Sequence, residues 1–177
     1  MRKDMSMVES HIKDILALYD DPDREGLLNT PKRVAKVFKE LLTAEKPRLA
    51  IFDANGYDQM ISDVGIEYYT FCEHHMLPFF GHVTIAYIPN KKIIGLSKLA
   101  RVVDYFSKRL NTQEYFTENI AEFLMKELQP LGIGVKVTGR HLCKEMRGAK
   151  SKGVMKTTSL KGVFLDSPSV KEEFLAL

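Results

Sequence analysis

Residues 64–90 read VGIEYYTFCEHHMLPFFGHVTIAYIPN. The flanking runs VGIEYYTF (64–71) and GHVTIAYIP (81–89) are rich in β-branched and aromatic residues at period two, a pattern that predicts two strands. Pro89 and Asn90 close the second run. Between the strands stand Cys72, Glu73, His74 and His75, four side chains able to coordinate, set beside an apolar stretch. The stretch therefore poses two questions together: what sheet the strands build, and what the polar side chains hold.

Working outward, Val8, Ile12, Ile15, Leu16 and Tyr19 recur at helical spacing and predict an amphipathic helix ending near YDDPDREG (19–26). A second helix is expected to take Thr30 as its N-cap and Pro31 as its first residue. Val34, Val37, Phe38 and Leu41 form its apolar stripe, and Arg33 and Lys36 point elsewhere. The linker TAEKPRLAIFDANGYDQM (43–60), with a proline and an Asn-Gly pair, reads as irregular surface structure. Beyond the short KKIIG (91–95), helical spacing returns twice, in Leu99, Val102, Val103, Phe106 and Leu110, then in Phe116, Ile120, Phe123, Leu124 and Leu128. GIGVKVTGRHLC (132–143) alternates again, with Ile133, Val135 and Val137 on one face, and KTTSLKGVF (156–164) makes a final strand. Helix, helix, two strands, helix, helix, two strands is the order of an α+β domain with a largely antiparallel sheet. One domain over 1–177 is expected, with a mainly helical part at 1–62, a catalytic part at 63–165 and a tail at 166–177.

With 45% apolar and 28% charged residues the composition is that of an ordinary globular chain. No run approaches the roughly 18 apolar residues of a membrane span, and MRKDMSMVES lacks the apolar centre of a secretion signal, so a cytoplasmic protein with no membrane partner is expected. Two cysteines cannot make a disulfide framework; in a reducing compartment such a pair is more often a metal or redox site. A net charge of +3 does not by itself imply nucleic acid. Locally, Lys136, Arg140, Lys144, Arg147, Lys150, Lys152, Lys156 and Lys161 face only Glu145 between Leu131 and Phe164. That region is either a solvated face or a pocket for a polyanion such as a triphosphate or a nucleic-acid backbone.

Zinc favours thiolate and imidazole, and a catalytic zinc takes three protein ligands. Cys72, His75 and Cys143 would supply them, the first two as a short chelate and the third from a distant segment. If the period of two persists through RHLC, His141 lies on the same side as Cys143. The competing reading makes the cysteines buried apolar fillers or a chance disulfide, and the histidines satisfied polar residues. The His-x-Glu and Cys-x-x-Cys pattern of the zinc deaminases is absent. Lys98, Arg101, Tyr105 and Lys108 share one side of their helix, which is either a solvated face or, with Ser97 at the helix start, a phosphate site. Arg147 could grip phosphate oxygens bidentately. Gln113 and Glu114 open the next helix, where Glu114 is an ordinary first-turn residue or an acceptor for the amide and amine edge of guanine.

Taken together, FCEHHMLPFFGHVTIAYIPN (71–90), IIGLSKLARVVDYFSKRLNTQE (93–114), RHLCKEMRG (140–148), TTS (157–159) and DPDREGLLNTPKRVAKVF (21–38) resemble GTP cyclohydrolase I over nearly the whole chain. The resemblance implies a tunnelling fold, an antiparallel sheet with a helix pair preceded by N-terminal helices. Subunits of that fold join into barrels, commonly as a homodecamer of two stacked pentamers with active sites between subunits. It implies Zn2+ held by Cys72, His75 and Cys143, with His74 and His141 catalytic. The implied reaction turns GTP and water into 7,8-dihydroneopterin triphosphate and formate, with attack at C8 of guanine and His141 protonating the ring nitrogen at position 7. By the same comparison Glu114 reads the guanine edge, Gln113 contacts the base and Ser97 meets the ribose or phosphates. Lys98, Arg101 and Arg147 hold the triphosphate with Arg33 and Lys36, the last two from another subunit. Thr112, Lys144 and Glu145 depart from the family pattern, which leaves a related tunnelling-fold enzyme with altered substrate or product as an alternative. A nucleic-acid module with purely structural zinc is a third reading, in which His141→Ala would be harmless; nucleic acid is not the expected partner.

Overall fold

The structure is a computed structural model and describes residues 5–177. Its chain divides into two compact units, Met1–Thr43 and Ala44–Leu177. In the first, α1 (Met5–Ala17) and α2 (Thr30–Leu41) are the two expected helices, and α1 buries none of its residues. Helix α2 starts differently from the expectation: Asn29 precedes it with helical backbone angles and makes no side-chain cap, so Thr30 and Pro31 both lie in the first turn. Pro31 there gives up an amide hydrogen that would have had no helical partner.

The second unit contains β1 (Ile51–Asp53), β2 (Ile61–Cys72), β3 (Pro78–Ile88), β4 (Lys92–Ile94), α3 (Ser97–Ser107), β5 (Leu110–Asn111), α4 (Gln113–Leu128), β6 (Gly132–His141), α5 (Leu142–Glu145), β7 (Met155–Gly162), α6 (Val163–Asp166) and α7 (Pro168–Ala176). Five strands form one sheet in the order β5-β2-β3-β6-β7, antiparallel except for the parallel β5-β2 pair. The linker is not wholly irregular, because β1 pairs with β4 through Ile51↔Ile94. A strand of three residues has no sequence signal of its own and exists by virtue of its partner.

The alternation seen in the sequence sets the core. Val83, Ile85, Ile133, Val135 and Val137 point to one face and are fully buried against Leu99, Val102, Phe116, Ile120 and Leu124 of the helix pair. A side chain of this size contributes roughly 1.5–3 kcal/mol when fully buried. The tail forms α7, whose Phe174 packs with Phe164 and Ala86 in a second, smaller cluster. Gly134 makes that packing possible, since a Cβ there would lie 2.8 Å from ring atoms of Phe164 and Phe174.

One expectation about β6 fails where it matters for the site. Alternation stops at His141, and Leu142–Glu145 closes one helical turn with the Met146 amide donating to the Leu142 carbonyl at 3.0 Å. Cys143 therefore sits on a turn and not two places further along a strand.

Candidate active site

The loop between β2 and β3 is held by backbone bonds at both ends. Cys72 N–H donates to Leu77 O at 2.9 Å, Met76 N–H to Cys72 O at 2.8 Å, and Glu73 N–H to Asn111 O at 3.0 Å. Met76 adopts φ 51°, the left-handed step that lets so short a loop turn back. As a result both imidazoles fold over the end of β2: Cys72 Sγ lies 3.9 Å from His74 Nδ1 and 3.8 Å from His75 Nδ1. The β3-β6 register places Phe79 opposite His141, and α5 then carries Cys143 into the same corner.

Donor atoms of Cys72, His75 and Cys143 all lie within 4.8 Å of one another. Cys72 is buried, Cys143 half-buried and His75 exposed, so the cluster opens to solvent on the histidine side. Both thiols are free. Burial, and after it the neighbouring Cys72 thiol, pushes the Cys143 thiol up from its ordinary value. A Cys143 thiol that resists ionising is what a divalent cation relieves, because coordination deprotonates a thiol. Two thiols and an imidazole match zinc in number and softness, and tetrahedral bonds of about 2.0–2.3 Å put donors about 3.5–3.8 Å apart, as Cys72 Sγ and His75 Nδ1 are at 3.8 Å.

His141 stacks face to face on Phe79, with ring centroids 4.4 Å apart and planes 7° from parallel. Burial pulls its imidazole down from its ordinary value, opposed by the negative charge of Glu114. Its Nε2 lies 2.9 Å from Gln113 Oε1. Gln113 is only 1% exposed, and its amide nitrogen donates to Val137 O, Met155 O and Thr157 Oγ1. Its side chain is thus engaged by protein partners, with His141 on the oxygen side. Thr112 fixes where α4 begins, its hydroxyl accepting from the Tyr115 amide at 3.2 Å. The same first turn leaves Glu114 exposed, lining a pocket of about 390 Å³ with Thr157, Thr158 and Ser159.

The cations divide into engaged and free. Arg140 forks onto Glu145 through bonds of 3.0 and 2.6 Å, Lys161 pairs with Glu118, and Lys108 with Asp104 at 2.9 Å. Arg101 and Arg147 are exposed and Lys98 is half-buried. Ser97 is exposed at the start of α3, but the Lys98 amide already donates to Gly95 O at 2.8 Å, so the helix start has fewer free donors than its sequence suggests. Arg33 and Lys36 are exposed on α2, in the first unit. Sequence reasoning missed the stacking of Phe79 and the room supplied by Gly139, although a glycine inside a strand is a signal of close approach.

A family model described as GTP cyclohydrolase I matches residues 8–177. GTP cyclohydrolase 1 of Aquifex aeolicus (strain VF5) is 47% identical over 180 residues, an alignment covering 98% of this chain and 98% of the relative. GTP cyclohydrolase 1 of Sulfurihydrogenibium sp. (strain YO3AOP1) is 46% identical over 177 residues, covering 98% and 95%. Among solved structures, the apo form of an archaeosine synthase QueF-like protein aligns at 14% identity with a TM-score of 0.43, covering 67% of this chain and 97% of that one.

Proposed function

The chain belongs to the GTP cyclohydrolase I family and converts GTP into dihydroneopterin triphosphate and formate; we propose that it does so at Cys72, His75 and Cys143, with zinc as the metal. Its α+β architecture is the tunnelling fold of that family. The observation that supports the site is the convergence of three donor atoms within 4.8 Å, on segments that also carry His74 and His141.

When bound, zinc supplies a Lewis acid that brings the ionisation of water towards neutral pH. The other work falls to the chain. His141 exchanges a proton with the ring nitrogen at position 7 of guanine, a task suited to an imidazole, which can both give and take protons. His74, exposed beside the ligands, positions water or the ribose. Glu114 accepts hydrogen bonds from the guanine edge, and Ser97 meets the ribose or phosphates. Lys98, Arg101 and Arg147 oppose the triphosphate, joined by Arg33 and Lys36 of a neighbouring subunit; guanidinium groups suit phosphate because they stay charged and bind it bidentately. Both units serve one functional domain in this reading, and a homodecamer with sites between subunits completes each pocket. Among the described residues no helix is long and apolar enough to cross a membrane, and we place the protein in the cytoplasm.

Incubation of zinc-loaded protein with GTP, following formate and the fluorescence of the oxidised pterin, tests this reading. Release of formate in step with pterin is expected. A fully loaded protein that gives no turnover would overturn it.

A further inference from the structure

The hydrogens around Gln113 can be assigned one by one. Thr117 has a single hydroxyl hydrogen, and it goes to the backbone carbonyl of Gln113 at 2.7 Å, which can only accept. In the 2.6 Å contact between the hydroxyls of Thr117 and Thr157, Thr157 is therefore the donor. That leaves Thr157 Oγ1 with lone pairs for Gln113 Nε2 at 3.1 Å. Two further acceptors, the carbonyls of Val137 and Met155, face the same nitrogen at 3.2 Å each. An amide end surrounded by three acceptors is the NH2 end, so Oε1 faces His141 Nε2, and an acceptor 2.9 Å away requires a hydrogen on that ring nitrogen.

We infer that Gln113 is a positioning residue which holds His141 as its Nε2–H tautomer, making Nδ1 the ring atom that gives and takes the proton of the substrate. The inference rests on His141 being the proton carrier. The opposite tautomer would set two lone pairs against each other between a buried amide and a half-buried ring, leaving both unsatisfied. The ring lies flat on Phe79, which fixes its plane. Gly139, two residues before His141 on β6, keeps the space open: a Cβ there would lie 2.5 Å from Gln113 Oε1.

The test is nitrogen NMR of zinc-loaded protein labelled with 15N-histidine, with His141 assigned by its absence in His141→Ala. At a pH where the ring is neutral, Nε2 is expected to carry a slowly exchanging proton and Nδ1 to be bare; a predominant Nδ1–H form overturns the inference. Gln113→Met keeps the length of the side chain and removes the acceptor. It is expected to lose the protection of the ring proton and to lower kcat at least about tenfold, part of the roughly 10²–10⁴-fold that a positioned acid–base group provides, with KM and zinc content little changed. A protected ring proton in that variant, or an unchanged kcat, overturns the inference. Should Gln113→Met fail to fold, the wild-type spectrum decides alone. Turnover retained in His141→Ala would instead remove the catalytic reading of His141 and leave the tautomer standing, so the two failures are distinguishable.

Discussion

At its Gly132 end β6 buries Ile133, Val135 and Val137 completely; at its other end Arg140 is exposed and His141 only half-buried, as is Cys143 just beyond it on α5. One strand thus runs from a region held by packing to a region held by hydrogen bonds and by donors that converge on an ion. Packing is cooperative and tolerates little change of volume. Directional bonds at the open end instead fix individual atoms, and can be lost with the fold intact. The difference teaches that stability and chemistry are carried by different ends of the same sheet.

The sharpest separation comes from His141→Ala, which is expected to lower kcat by about 10²–10⁴-fold while zinc content and thermal midpoint stay near wild type. A comparable loss of stability would show that the two ends are not independent. At the packed side, Phe174→Ala removes a fully buried ring from the small cluster with Phe164 and Ala86. It is expected to cost about 3–5 kcal/mol in denaturant unfolding and to leave kcat per folded molecule unchanged. The smallest effect concerns Glu118, whose carboxyl is held below its ordinary value of 4.5 by the Lys161 ammonium and then by the Ser159 hydroxyl. A carboxylate depressed on folding adds stability that is present above its unfolded value and lost as pH falls through its folded one. Glu118→Gln should therefore lower stability slightly at neutral pH, with the difference from wild type disappearing as pH falls below about 4.5; the side chain is 42% exposed, so solvent screening keeps the change small.

The packed end was the more legible in sequence. Ile133, Val135 and Val137 at period two, and the stripes of α3 and α4, announce their elements because burial selects residue type at fixed spacing. Helix α7 was missed because PSVKEEFLAL contributes only one fully buried side chain, Phe174, too few to make a stripe. The turn of α5 is four residues long, below any periodic signal, yet it decides where Cys143 points. At the site, the three-residue spacing of Cys72 and His75 is visible in the sequence, whereas their meeting with Cys143 depends on the register Phe79↔His141 across strands distant in the chain. In the sequence Gln113 opens α4 and by resemblance contacts the base; only three dimensions show its amide closing on His141. The departures at Thr112 and Glu145 have local explanations in a helix cap and an ion pair with Arg140, neither of which displaces a ligand.

Metal content and product, measured side by side on wild type and Cys143→Ser, bear most directly on the claim that β2 and α5 meet around one ion. Wild type should hold about one zinc per chain and release formate with the pterin triphosphate, and the serine variant should lose both. A variant that still turns over GTP at the wild-type rate, or a wild type whose activity is indifferent to stripping the metal, would contradict the account.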